Sequence, residues 1–179
     1  MTGMAAGHRS VPGRLASALD ALSEVTGRAV AWLTILMVLA TVAVVVARYA
    51  FDLGLIWLQE SVNWMHAAVF MLGAGYTLKA DEHVRVDVFY RGFSARRQAV
   101  VNLAGTLLFL LPFCAFLLVA SWPYVASAWR VAERSREAGG LPMLYLLKAM
   151  IPLMAVLIAL QGIAGALRAL LALRGGEPR

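Results

Sequence analysis

Charge is what this chain has least of. Asp, Glu, Lys and Arg make up 15% of its 179 residues and apolar side chains 61%, against roughly 25% and 45–50% in ordinary globular domains. A soluble domain this small could not bury that much apolar surface, so the composition points to an all-α integral membrane protein. Cysteine is nearly missing too. Cys114 stands alone inside an apolar run, which excludes an internal disulfide and a thiolate metal site. His8, His66 and His83 have no carboxylate or thiol at ligand spacing, and His66 is the sole imidazole in an apolar run, too few for paired haem ligation. No glycine-rich phosphate loop and no nucleophile with a nearby base is visible. The sequence therefore predicts no cofactor, no metal and no enzyme. The net charge of +6 is no nucleic-acid footprint, because the basic residues sit between apolar runs and do not interleave with aromatics. A cleavable signal is not evident either: the first apolar run is too long for a signal core.

What is present is a set of four stretches, 29–47, 61–78, 98–121 and 149–167, that contain no Asp, Glu, Lys or Arg. Each is close to the ~20 residues that cross a bilayer. They predict four transmembrane helices in a single membrane domain, 14–167, between a flexible tail, 1–13, and a cytoplasmic tail, 168–179. The third stretch runs on uncharged to Trp129. Pro123 is expected to bend or end its spanning part near Ser121, leaving 124–137 as a helical extension outside the lipid that stops at Gly139-Gly140. Two short amphipathic patterns flank the spans. Leu15, Leu19, Leu22 and Val25 share one face and Arg14, Ser17, Asp20 and Glu24 the other; this is either a helix lying on the membrane surface or an aqueous extension of the first span. Val86, Phe89, Tyr90 and Phe93 recur at i, i+3, i+4 and i+7 and predict a brief interfacial helix. Ala67, Ala68, Gly73, Ala74 and Gly75 give the second span the small side chains that let membrane helices approach closely.

Lys and Arg number 11 in the segments that share a side with the two termini and 5 in the other two connections. The excess places both termini in the cytoplasm. Arg48, Trp57 and Glu60 then lie at the outer boundary, and His83 and Asp87 at the inner one. Arg48 and Glu60 are open to three readings: a mutual ion pair, a contact of Glu60 with a partner subunit, or two solvated charges at headgroup level. His83 and Asp87 either cap an inner interfacial helix or simply belong to a mixed-charge loop. His66 reads as a hydrogen-bonding group near the outer edge of its span rather than a proton relay. A chain with no charge in its spans and no inverted repeat makes a poor self-sufficient ion-coupled transporter, so an accessory role follows.

The order Arg48-Tyr49-Ala50-Phe51, Trp57-Leu58-Gln59-Glu60, Gly73 and His83-Val84-Arg85-Val86-Asp87 resembles the small membrane subunit, DctQ-type, of tripartite ATP-independent periplasmic (TRAP) transporters. Glu133-Arg134-Ser135, Leu141-Pro142, Tyr145, Ile151-Pro152 and Gln161 are similar to that family's fourth-helix region. The likeness spans most of the chain, 29–167, and departs at Gln59, where many members carry a second acid, and after Pro152, where a glycine is common. The resemblance implies a bacterial inner-membrane protein that pairs as a heterodimer with a large TRAP membrane subunit. That subunit carries substrate and sodium in symport, and a periplasmic substrate-binding protein delivers an organic acid to it. It also implies that Arg48, Trp57, Glu60, Gly73, His83 and Asp87 serve as interface or structural positions. Two other classes remain. A small tetraspan efflux pump would need an acid in its first span, and the membrane anchor of a redox complex would need more histidines.

Overall fold

The computed structural model describes residues 11–82 and 90–174, which are helical apart from short connections. The elements in chain order are α1 (Val11–Phe51), α2 (Ile56–Lys79), a 3-10 turn (Tyr90–Gly92), α3 (Ala95–Gly105), a π turn (Thr106–Leu110), α4 (Leu111–Arg130) and α5 (Leu144–Arg174). His83 and Asp87 lie outside the described residues.

α1 settles the first open choice. It is one unbroken helix of 41 residues, about 61 Å long at 1.5 Å per residue, so the amphipathic stretch continues the first span. The helix already begins at Val11, inside the stretch expected to be a flexible tail. Ala16, Ser23, Gly27 and Val30 form its buried face, small enough for other helices to pack close. α1 stops where Asp52 turns left-handed, with φ 55°, a conformation that Asn and Asp tolerate better than most residues. α2 ends in the same way: Asp81 has φ 60°, its N–H reaches the Leu78 carbonyl at 3.3 Å, and the Glu82 N–H reaches Thr77 at 3.1 Å. This paired closure satisfies carbonyls that would otherwise be orphaned.

α3, the π turn and α4 make a single rod, Ala95–Arg130, of 36 residues. Pro123 does not end it near Ser121; the helix runs through. A proline removes one donor, whereas breaking the helix inside an apolar segment would leave several backbone groups without water or partner. The predicted extension to Glu137 is likewise shorter. α4 closes at Arg130, where Ala132 turns left-handed at φ 45° and the Glu133 N–H bonds the Ala128 carbonyl at 2.9 Å. At the C-terminal end, α5 includes Arg168 through Arg174, so the first part of the expected tail is helix. The predicted interfacial helix around Val86–Phe93 falls mostly outside the described residues; the described part is the 3-10 turn, pinned by the Gln98 side-chain amide to the carbonyls of Tyr90 at 3.2 Å and Phe93 at 3.3 Å.

α5 is the central element. It packs against α1, α2, α3 and α4, and 33% of its most apolar window is buried, against 6% for α1 and for the α3–α4 rod. The bundle interior is built from small groups: Ala16, Ala68, Ala99, Ala128, Ala155 and Ala164 are buried, while Trp32, Leu39, Phe70, Phe116 and Trp122 face outward. That inversion suits a lipid surround, where helices gain by close backbone approach. α1, the α3–α4 rod and α5 are long and apolar enough to cross a membrane. α2, at 24 residues, carries Gln59, Glu60, Asn63 and His66 in its first half.

Close approach is tightest at Gly27. A Cβ there would overlap Cγ of Tyr76 and stand 2.6 Å from Tyr76 Cβ, atoms at the root of the ring that cannot swing away. The motif glycine Gly73 has more room, with Val30 Cγ2 at 3.8 Å from an added Cβ. Gly27→Ala is therefore expected to cost about 1–3 kcal/mol through overpacking. Gly73→Ala should stay within about 0.5 kcal/mol of wild type. Thermal unfolding of the two purified variants in mild detergent checks the order; equal midpoints would contradict the α1–α2 register.

Candidate functional site

Charge that is scarce along the sequence is concentrated at the two ends of the bundle. α2 and α5 run parallel, with Gly75 beside Leu157, and α1 runs against both. The start of α1, the ends of α2 and α5 and the start of α3 thus share one end, here the near end. The α1–α2 turn and the α4–α5 connection share the far end.

At the near end a buried amide is the organiser. Gln161 of α5 is 2% exposed and Ser23 of α1 3%. The Ser23 hydroxyl donates to Gln161 Oε1 at 2.6 Å, and Gln161 Nε2 donates to Asp20 Oδ1 at 2.9 Å. Arg168, two turns along α5, donates through Nη1 to both Asp20 oxygens at 2.7 and 2.6 Å. One turn further along α1, Glu24 accepts from Lys79 of α2 at 2.5 Å and from Arg28 at 2.7 Å. Three helices are thereby joined through one polar stripe on α1. Burial raises the Asp20 carboxyl, but the hydrogen bonds from Gln161 and Arg168 outweigh it and hold the group below its ordinary value. Hydrogen bonds from Lys79 and Arg28 lower Glu24 in the same sense. Beside this cluster a cavity of about 1180 Å³ opens between the π turn and α5, with Phe109 and Phe113 on one wall and Gly162 and Gly165 on the other.

At the far end the organiser is Glu60. Its carboxylate accepts from the Ser135 hydroxyl and from the Leu141 N–H at 2.6 Å. Ser135 N–H and the Leu141 carbonyl also bond each other at 3.1 Å, so the acid closes the neck of the α4–α5 connection. Gly139 supplies the left-handed turn at its tip, φ 79°. The same connection is held from α5, where Lys148 donates to Glu133 at 2.5 Å and stands 4.1 Å over the Tyr124 ring. Trp129 meets Tyr145 edge-on at 4.8 Å.

The sequence-predicted residues fall unevenly on this frame. Glu60 sits in a clamp, though not with Arg48: among the described residues no ion pair joins them. Arg48 and Trp57 are exposed at the far end, Gly73 is half-buried against α1, and His66 is exposed on α2. Asp20, Ser23, Glu24 and Lys79 were passed over as site residues. Their one visible signal is Gln161, a lone amide in an uncharged run, which calls for a polar partner on another helix.

Three outcomes follow. Because Asp20 and Glu24 are depressed below their ordinary values of 3.8 and 4.5, their stabilisation is complete above about pH 5 and is lost as pH falls through the folded values. Thermal midpoints of wild type should drop between neutral and acid pH, and Asp20→Asn should start lower and fall less steeply; parallel profiles would refute the link. Gln161→Leu leaves Ser23 buried without its partner and should cost about 1–3 kcal/mol. At the far end, Glu60→Ala should free the α4–α5 connection and speed tryptic cutting at Arg134 and Arg136, with Glu60→Gln intermediate because it keeps an acceptor. Unchanged cutting would show that the loop holds itself.

Over residues 37–172 the chain matches the family described as tripartite ATP-independent periplasmic transporters, DctQ component. It is also 32% identical over 110 residues to the C4-dicarboxylate TRAP transporter small permease protein DctQ of Vibrio cholerae serotype O1 (strain ATCC 39315 / El Tor Inaba N16961). That alignment takes in 60% of this chain and 45% of the relative, so the chain spans about half the length of the curated relative it matches. No solved structure matches it. The family match begins within α1 and ends within α5, taking in the Glu60 clamp and both α5 anchors of the near-end cluster, and on it the chain belongs to the DctQ family of TRAP transporter membrane components.

Proposed function

We propose that this chain is the small permease subunit of a TRAP transporter. It pairs with a large membrane subunit and supports sodium-coupled, binding-protein-dependent uptake of an organic acid. The bacterial inner membrane holds it as one four-helix domain, 14–167, with both termini in the cytoplasm, and the periplasmic binding protein approaches from the far end. The relative's name gives C4-dicarboxylates as that protein's substrate class, which makes them the first class to test here.

The observation that carries this reading is how the charged groups within the bundle are used. Asp20 holds Arg168, Glu24 holds Lys79, Glu133 holds Lys148 and Glu60 holds the α4–α5 neck. All of them join one helix of this chain to another segment of it. Such a body suits a part that stays still while a partner moves the substrate, with selectivity residing in other chains. Spacing supports a fourth crossing by α2: Glu60 to Lys79 is about 28 Å along a helix, close to the ~30 Å hydrocarbon core. Exposed Trp57 and half-buried Gly73 are offered as surfaces for the large subunit, and His83 and Asp87 as inner-boundary positions.

Co-expression with a large TRAP membrane subunit from the same genome, followed by mass determination in mild detergent, tests the partner. A one-to-one heterodimer is expected, and a homodimer that ignores the large subunit would overturn the reading. Topology is tested separately by impermeant maleimide on intact cells. Leu53→Cys and Glu137→Cys should label, and Glu82→Cys should label only after permeabilisation; the reverse pattern would invert the orientation, and Glu82→Cys labelling together with Leu53→Cys would remove α2 as a crossing.

A further inference from the structure

The far-end mouth between α1 and α2 has a chemistry that none of the clamps uses. A cavity of about 300 Å³ lies there, with Arg48, Gln59 and Asn63 on its polar side and Val44, Val45 and Val62 on its apolar side. Among the described residues no hydrogen bond or ion pair engages Arg48. Glu60, the acid nearest Gln59 in sequence, is committed to Ser135 and Leu141. The surrounding side chains fix the depth. Tyr49 is 83% exposed, Phe51 67% and Trp57 51%, and aromatic residues that stand outward at the end of an apolar run mark the membrane–water interface. A guanidinium at that depth, next to two amides and above an aliphatic wall, offers planar donors to a phosphate and an apolar surface to the methylenes attached to it.

We propose that this mouth is a binding site for a phospholipid of the outer leaflet. The phosphate sits on Arg48, Gln59 and Asn63 donate to phosphate or glycerol oxygens, and the first methylenes of one acyl chain lie over Val44, Val45 and Val62. Both charge and depth select this occupant. The unengaged group is a cation, so the ligand is an anion, and the anion abundant at that depth is the lipid phosphate. The inference rests on the membrane reading of the chain and, for the choice of leaflet, on the proposed orientation; it does not depend on its transport partner.

Native mass spectrometry of the detergent-purified chain, titrated with phosphatidylglycerol, phosphatidylethanolamine or diacylglycerol, tests it. The wild type should retain either phospholipid and release diacylglycerol, which has no phosphate. Arg48→Gln should lower retention by about tenfold, the size of a lost charge-assisted pair. Arg48→Lys should fall between, because an ammonium keeps the charge without the fork. Val45→Trp, which keeps Arg48 but fills the cavity, should also release the lipid, and circular dichroism of each variant controls for folding. Equal retention by Arg48→Gln and wild type, or equal retention of diacylglycerol, would overturn the proposal. So would a variant at Arg48 that keeps its lipid but no longer co-purifies with the large subunit, which would assign the arginine to a protein carboxylate instead.

Discussion

A buried side-chain amide has a donor end and an acceptor end, and leaving either unpaired in a low-dielectric interior is costly. Gln161 meets that demand with Ser23 on one end and Asp20 on the other. Much of the near end depends on this. To reach Gln161, Asp20 must lie against α5, which requires α1 to continue as helix well before its apolar run. Asp20 then becomes a half-buried charge that gains from a cation, which Arg168 supplies on the part of α5 that continues past its uncharged run. A single polar residue in an otherwise hydrophobic helix thus sets the length of two helices and their mutual register.

The far end solves a different problem with related means. A connection of 13 residues joins α4 to α5, and no strand or helix organises it. Glu60 does so from the neighbouring α2, accepting from a side-chain hydroxyl and a backbone N–H on opposite arms of the neck. Charge-assisted hydrogen bonds of this kind are about twice as strong as neutral ones. An acid here needs no counter-cation in contact, which leaves the Arg48 side chain across the mouth without a partner among the described residues.

Much of this was legible in the sequence, and the limits have physical causes. The uncharged runs lie inside α1, α2, the α3–α4 rod and α5, because hydropathy is a local property and the lipid reads it locally. The boundary acid Glu60 was visible for the same reason. Its partners were not, since Ser135 and Leu141 lie 75 and 81 residues away in the chain and nothing local specifies which helices are neighbours. The Asp20–Gln161 pairing, 141 residues apart, was hidden in the same way. Of the two outcomes open at Pro123, a bend or an end, the end did not occur: the rule that proline ends helices assumes water is available for the freed carbonyl, and within an apolar segment continuing the helix is the cheaper outcome. That residues 168–174 continue α5 was hidden too, because the partner of Arg168 belongs to the opposite end of the sequence.

α2 and α5 run side by side in the same direction, and each is held near both of its ends: α2 by Glu60 and Lys79, α5 by Lys148 and Arg168. Neither helix can slide or tilt alone without breaking a clamp. The hydrophobic height of the protein is therefore set by covalent spacing along the helices and not by the surrounding lipid. On the proposed reading of α2 as a fourth crossing, a bilayer whose core is thicker or thinner than about 28 Å must itself stretch or compress around the chain, at a cost that grows with each ångström of mismatch. A rigid rim of that kind imprints its own thickness on the membrane next to it, and any protein seated beside it meets a bilayer already set to that height.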